Sequence, residues 1–73
     1  MLDSEGGRGD ARTLVEHVLG LAEIDAMREV LTAGCRFRVA SRDGVEPALS
    51  MDHRADRLNV TVRDGVIVDA RVG

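Results

Sequence analysis

Arg57-Leu58-Asn59-Val60-Thr61-Val62-Arg63-Asp64-Gly65-Val66-Ile67-Val68-Asp69-Ala70-Arg71-Val72 is the stretch on which the fold turns. Its first half alternates with a period of two. Leu58, Val60 and Val62 fall on one face of a strand, and Arg57, Asn59, Thr61 and Arg63 on the other. Asp64-Gly65 is a strong two-residue hairpin turn. Val66 to Val72 therefore reads as the returning antiparallel strand, with Val66, Val68, Ala70 and Val72 inward.

Moving upstream, Arg36-Phe37-Arg38-Val39-Ala40 alternates in the same way and predicts a third strand with one buried face. Ser41 to Met51 holds Asp43-Gly44 and Pro47 and cannot be one regular strand. In Ala22 to Thr32, the residues Ile24, Ala26, Met27, Val30 and Leu31 form one broad apolar stripe at helical period. Glu23, Asp25, Arg28 and Glu29 fall mostly outside it, and the early acids suit the helix dipole. This is the main helix, and Gly34 is its stop signal. Arg12 to Leu19 is amphipathic through Leu14, Val15, Val18 and Leu19, a turn or two of helix docked on the domain and interrupted by Gly20.

The expected class is α+β: one main helix packed on a small mixed β-sheet, with an extended loop. The first strand should run parallel to the strand from Arg57, because a long connection crosses from the end of one to the start of the next. Residues 1–11, Gly-rich and charged, read as a disordered tail, and 12–73 as the domain.

Composition narrows the function. A chain of 73 residues is one domain at most, and one of that size buries only about 60% of its unfolded surface. Cys35 is the only cysteine, so no disulfide can form within the chain, and it reads as a small buried hydrophobe. A net charge of −3 argues against nucleic acid as a partner. No run approaches the ~20 apolar residues of a membrane span. Met1-Leu2-Asp3-Ser4-Glu5 lacks the features of a secretory signal, which predicts a cytoplasmic protein, or an extracellular one if this is a trimmed mature form. His17 and His53 lack metal-ligand spacing, so neither metal nor cofactor is expected. No catalytic triad can be assembled, which predicts that the protein is not an enzyme. Arg8-Gly9-Asp10 and the acceptor pattern Asn59-Val60-Thr61 are read as coincidences of composition.

Between the first strand and the hairpin lies Glu46-Pro47-Ala48-Leu49-Ser50-Met51-Asp52-His53-Arg54-Ala55-Asp56, longer than a tight turn requires. Loops of this kind tend to carry function. Arg57, just beyond it, points off the core face. Its guanidinium fork can reach back under the loop to the loop carbonyls or the Asp52 carboxylate.

Ser50-Met51-Asp52-His53-Arg54-Ala55-Asp56-Arg57-Leu58-Asn59-Val60 resembles the loop-and-strand signature of the potato inhibitor I superfamily, in particular its microbial (bacterial and fungal) branch. That signature is Thr-Met-(Glu/Asp)-Tyr-Arg-x-Asp-Arg-(Val/Leu), followed in the microbial branch by Asn. The ending Ala70-Arg71-Val72-Gly73 resembles the family's terminal Arg-Val-Gly, and the likeness covers roughly Val18 to Gly73. His53 stands where the family has Tyr, Ala55 replaces a larger apolar residue or Pro, and Ser41 to Pro47 is longer than in the compact plant members.

The resemblance implies a serine protease inhibitor with a substrate-like binding loop. Met51 would enter an apolar primary pocket of a subtilisin- or chymotrypsin-like enzyme, and Met51-Asp52 would be the scissile bond. Leu49 and Ser50 would lie on the acyl side and His53 and Arg54 on the leaving side, with Arg57 bracing the loop from below. Asn59 occupies the position of a second brace, an arginine in plant members. The implied partner of this monomer is a serine protease. The alternative is a non-inhibitory cytosolic module, protein-binding or structural, that retains the fold. On the inhibitor reading, Arg57→Ala should convert inhibitor to substrate while leaving the melting temperature nearly unchanged, since no apolar burial is lost.

Overall fold

The computed structural model describes residues 10–48 and 52–73. Among them are a 3-10 turn (Ala11–Leu14), helices α1 (Val15–Val18) and α2 (Glu23–Thr32), and strands β1 (Arg36–Arg42), β2 (Arg57–Arg63) and β3 (Val66–Val72). This is the expected α+β class, with one main helix on a mixed sheet of order β1-β2-β3. β2 lies in the centre, parallel to β1 from Arg36↔Arg57 and antiparallel to β3 through Arg63↔Val66. Its apolar side chains Leu58, Val60 and Val62 are fully buried, as a half-covered strand of period two requires.

Both Asp-Gly pairs make hairpin turns. Asp64 (φ 53°) and Gly65 (φ 77°) join β2 to β3, and Asp43 (φ 52°) and Gly44 (φ 85°) reverse the chain after β1. Two successive positive φ values define the mirror-image turn whose twist matches that of strands. The turns also bind each other, since Asp43 Oδ1 accepts from the Asp64 N–H at 2.8 Å. Helix α2 stops at Gly34 (φ 82°). There the Gly34 N–H bonds the Leu31 carbonyl and the Cys35 N–H bonds the Val30 carbonyl, satisfying two terminal carbonyls at once.

Three expectations need correction. Within the helical stripe only Ala26 and Val30 are fully buried, whereas Ile24 and Leu31 stay 55% and 54% exposed. At about 100° per residue the latter two lie roughly 100° or more around the helix from the buried edge. The rest of the sheet is covered by Ala11, Leu14, Val15 and Val18 from the N-terminal turns.

On β3 the inward residues are Ile67 and Ala70, with Val72 half-buried. Val66 and Val68, expected inward, are 37% and 47% exposed. The register steps from Thr61↔Asp69 to Val62↔Ile67, so Val68 is the extra residue of a β-bulge and the alternation reverses there. The bulge coincides with a second set of bonds to Ile67: its N–H donates to the Leu21 carbonyl and its carbonyl accepts from Gly20, both at 2.9 Å.

The third correction concerns the tail boundary. Residues 1–9 lie outside the described residues, but Asp10 and Ala11 belong to the fold. Asp10 Oδ1 accepts from the Arg12 N–H at 2.9 Å and caps the 3-10 turn, and Ala11 is fully buried.

The bulge can be tested by truncation. Ile67→Ala should cost about 2–5 kcal/mol in urea unfolding, as buried Ile-to-Ala changes do. Val68→Ala should cost under about 1 kcal/mol, as surface changes usually do. Equal costs would mean that Val68 faces the core.

Candidate functional site

Because β1 and β2 are parallel, the chain must return the length of the sheet between Arg42 and Arg57, and among the described residues no helix carries it. The loop's C-terminal half is held at nearly every residue. Arg57 Nη2 donates to the Asp52 carbonyl at 2.8 Å and lies 3.5 Å from Asp52 Oδ1. The Arg54 N–H donates to the Gly73 carbonyl (3.1 Å), and the Ala11 N–H to the Ala55 carbonyl (3.2 Å). The Arg36 N–H donates to the Asp56 carbonyl at 2.7 Å.

The Gly73 carbonyl is the hub. Besides Arg54 it accepts from Arg57 Nε at 3.0 Å and from Arg57 Nη2 at 2.6 Å, while the Gly73 N–H returns a bond to the Arg57 carbonyl at 3.1 Å. Arg57 faces away from the helix, as the alternation demands, but it is not a surface residue. At 9% relative exposure it is the buried charged side chain among the described residues. A buried guanidinium needs hydrogen-bond partners, and here the carbonyls of Asp52 and Gly73 accept from its Nε and Nη2.

Asp56 organises the base of the loop. Its carboxylate accepts from Arg54 Nε at 3.1 Å and lies 3.5 Å from Arg36 Nε. The hydrogen bond from Arg54, and the charges of Arg54 and Arg36, hold its pKa below the ordinary aspartate range.

The other expected site residues are distributed less simply. Leu49, Ser50 and Met51 lie outside the described residues, so the acyl side of the proposed scissile bond is among them and the leaving side, Asp52, is described. His53 is exposed. Among the described residues Asn59 bonds within the sheet: its Oδ1 accepts from Arg38 Nε at 2.6 Å, and its Nδ2 donates to the Arg71 carbonyl at 3.4 Å. Ala11, Arg36, Arg38 and Gly73 take part without having been assigned a role from sequence. The alternation of Arg36 and Arg38 on the face shared with Arg57 was their only signal.

Among the described residues no group of three or more His, Cys, Asp and Glu side chains could hold a metal ion. His17 pairs instead with Glu29 at 3.1 Å. Cys35 is buried, and desolvation pushes its thiol pKa up, away from the reactive thiolate. Comparison with models of known protein families gives no match, nor do comparisons with curated proteins and with solved structures. The family resemblance therefore rests on the sequence motif.

The charge at Asp56 sets a pH dependence. A carboxyl whose pKa is depressed on folding stabilises the fold above its unfolded value and loses that contribution as the pH falls through the folded value. Protection of the loop-base amides, read by hydrogen exchange, should therefore be full at neutral pH and fall as the pH drops below about 4. Asp56→Asn should remove this acid limb. A carboxyl NMR titration placing Asp56 at or above ordinary aspartate values would refute the assignment.

Proposed function

We propose that the protein is a serine protease inhibitor acting through a substrate-like loop, with Met51-Asp52 as the bond presented to the protease. The observation that carries this reading is the Arg57 guanidinium, buried beneath the loop and bonded both to the Asp52 carbonyl at 2.8 Å and to Gly73. A loop joining two strands needs no such device. A loop whose leaving side must stay in place after its peptide bond is cut does.

The chemistry follows from that restraint. The protease serine attacks the Met51 carbonyl, its histidine takes the serine proton, and the tetrahedral intermediate collapses to an acyl-enzyme as the Asp52 amine departs with a proton. In an ordinary substrate the amine diffuses away and water completes hydrolysis. Here Asp52 remains tied to Arg57, and the next residues to Gly73 and Ala11, so the amine stays beside the ester. Well-oriented groups reach effective molarities of order ~10⁵ M or more, enough for the amine to re-form the peptide bond in competition with water. A pre-ordered loop also lowers the entropy cost of association. The inhibitor contributes geometry and no catalytic group.

Met51 is long, unbranched and apolar, which suits a roomy apolar pocket and not an acidic one. Leu49 and Ser50 would pack on the acyl side, and His53 and Arg54 on the leaving side. We expect a 1:1 monomer–protease complex, with no part for nucleic acid, membrane, metal or cofactor.

Titration of subtilisin, chymotrypsin and trypsin tests this directly. The first two should be inhibited near equimolar protein, with slow cleavage at Met51-Asp52, and trypsin spared. Rapid cleavage there, with none of the three inhibited at micromolar protein, would favour a non-inhibitory binding module. Arg57→Ala should speed cleavage and weaken inhibition. It should also lower stability by about 1–3 kcal/mol, because the buried guanidinium holds Gly73 as well as the loop. This revises the unchanged melting temperature that sequence alone suggests. Unaltered cleavage in Arg57→Ala would mean that the loop is not held from below.

A further inference from the structure

We propose that the N-terminal turn headed by Asp10 is a clamp on the leaving side of the loop, with the Ala11 N–H as its positioning donor; this rests on the inhibitor reading above. The loop base itself contains a turn. The Arg57 N–H donates to the Arg54 carbonyl at 3.3 Å, closing a four-residue reversal with Ala55 and Asp56 at its centre. That bond uses the carbonyl of Arg54. The carbonyl of Ala55, on the peptide between the two central residues, points out of the turn and finds no partner within it.

The middle peptide of such a turn rotates between two settings, types I and II, and the second demands a positive φ at the third residue. Here that residue is Asp56, and aspartate takes positive φ more readily than most side chains do. Asp43 and Asp64 take it in this chain, whereas Asp56 does not. Local preference alone therefore leaves the setting open. The Ala11 N–H fixes it by donating to the Ala55 carbonyl at 3.2 Å. Ala11 is fully buried, so a flipped peptide would leave its N–H without a partner in a dry place. With the middle peptide held, the residues on either side meet their own anchors. The Arg54 N–H reaches the Gly73 carbonyl, and the Asp56 carbonyl receives the Arg36 N–H. Of the three segments that hold residues 54–56, the N-terminal turn is the one from outside the sheet.

Ala11 is aimed from both sides. Its methyl belongs to the buried core together with Val18, Leu58 and Ile67. Before it, Asp10 ties the turn together. Oδ1 accepts from the Arg12 N–H at 2.9 Å, and Oδ2 from Arg12 Nε and Nη2 at 2.9 and 2.6 Å. The Asp10 carbonyl accepts from the Thr13 N–H at 3.1 Å and from Thr13 Oγ1 at 2.9 Å. A cap of this kind sets the direction of the first N–H groups of the turn that follows. The link to the loop is a hydrogen bond between two backbone atoms, so it depends on no side-chain rotamer.

Hydrogen exchange on the full chain tests the clamp, with the Val60 amide in the central strand as internal standard. Asp10→Ala removes the cap without removing apolar burial. It should raise exchange of the Ala11 and Arg54 amides relative to Val60 by about three- to tenfold, the loss of one hydrogen bond. Subtilisin cleavage at Met51-Asp52 should quicken in parallel. Asp10→Asn keeps an acceptor for the Arg12 N–H and should restore the original ratios. Ala11→Pro deletes the donor itself. Proline is accepted at the first position of a helix, and Asp10, at φ −82° and ψ 119°, already has the extended backbone that a following proline imposes. This variant should loosen Arg54 and leave Val60 unchanged; if the added ring prevents folding, Asp10→Ala decides alone. Ala11 exchange that rises while Arg54 stays fixed would overturn the proposal, as would an Arg54 amide that moves only in step with Val60. Loosening of Arg54 with no protease inhibited would remove the inhibitor reading and leave the clamp standing. Inhibition retained with Arg54 unmoved would remove the clamp alone.

Discussion

The guanidinium of Arg57 is bonded at once to the loop, through the Asp52 carbonyl, and to the end of the neighbouring strand β3, through Gly73. Everything distinctive about the molecule depends on that double attachment. A planar fork fixes direction as well as distance, and a lysine ammonium at the same place would hold one carbonyl without orienting the other. Burial strengthens the restraint, because in a partly dry site the guanidinium cannot readily exchange its carbonyl partners for water.

The rest of the loop base shows how a chain of 73 residues with a single cysteine can anchor residues 52–56 of a long connection without a crosslink. The anchors come from chain segments far apart in sequence: the N–H of Ala11, the N–H of Arg36 and the carbonyl of Gly73. Each is a backbone group at the end of a regular element, where a donor or acceptor is left over once the helix or ladder stops. The loop uses those leftovers. Among the described residues its holding points run from Asp52 to Arg57, the side that carries the cut amine on the proposed reading.

Electrostatics serve the same half. Arg54, Asp56 and Arg36 form a short chain of alternating charge at the base of the loop. Exposed pairs of this kind contribute little individually, at most about 1 kcal/mol each. Their role is to fix the orientation of Arg54, whose backbone N–H is directed at the hub. Elsewhere the chain relies on turn chemistry. The two Asp-Gly reversals take the positive φ their hairpins require, and Asp43 joins one to the other, closing that end of the sheet opposite the loop base.

Local rules determined the elements. Period-two alternation in Arg57 to Arg63, the Asp64-Gly65 turn, the stop at Gly34 and the direction of Arg57 away from the core all follow from nearest-neighbour geometry, and each is found in the structure. What tertiary structure alone decided lies where two segments compete for one surface. The bulge at Val68 goes with Ile67 serving Gly20 and Leu21 as well as the sheet, a demand invisible in a run of valines. Ile24 and Leu31 stay exposed because the N-terminal turns, beginning with a buried Ala11, already cover that part of the sheet. Gly73 became the hub, and Arg38 the partner of Asn59, through strand register, which is set by the packing of the whole domain and by no residue in isolation.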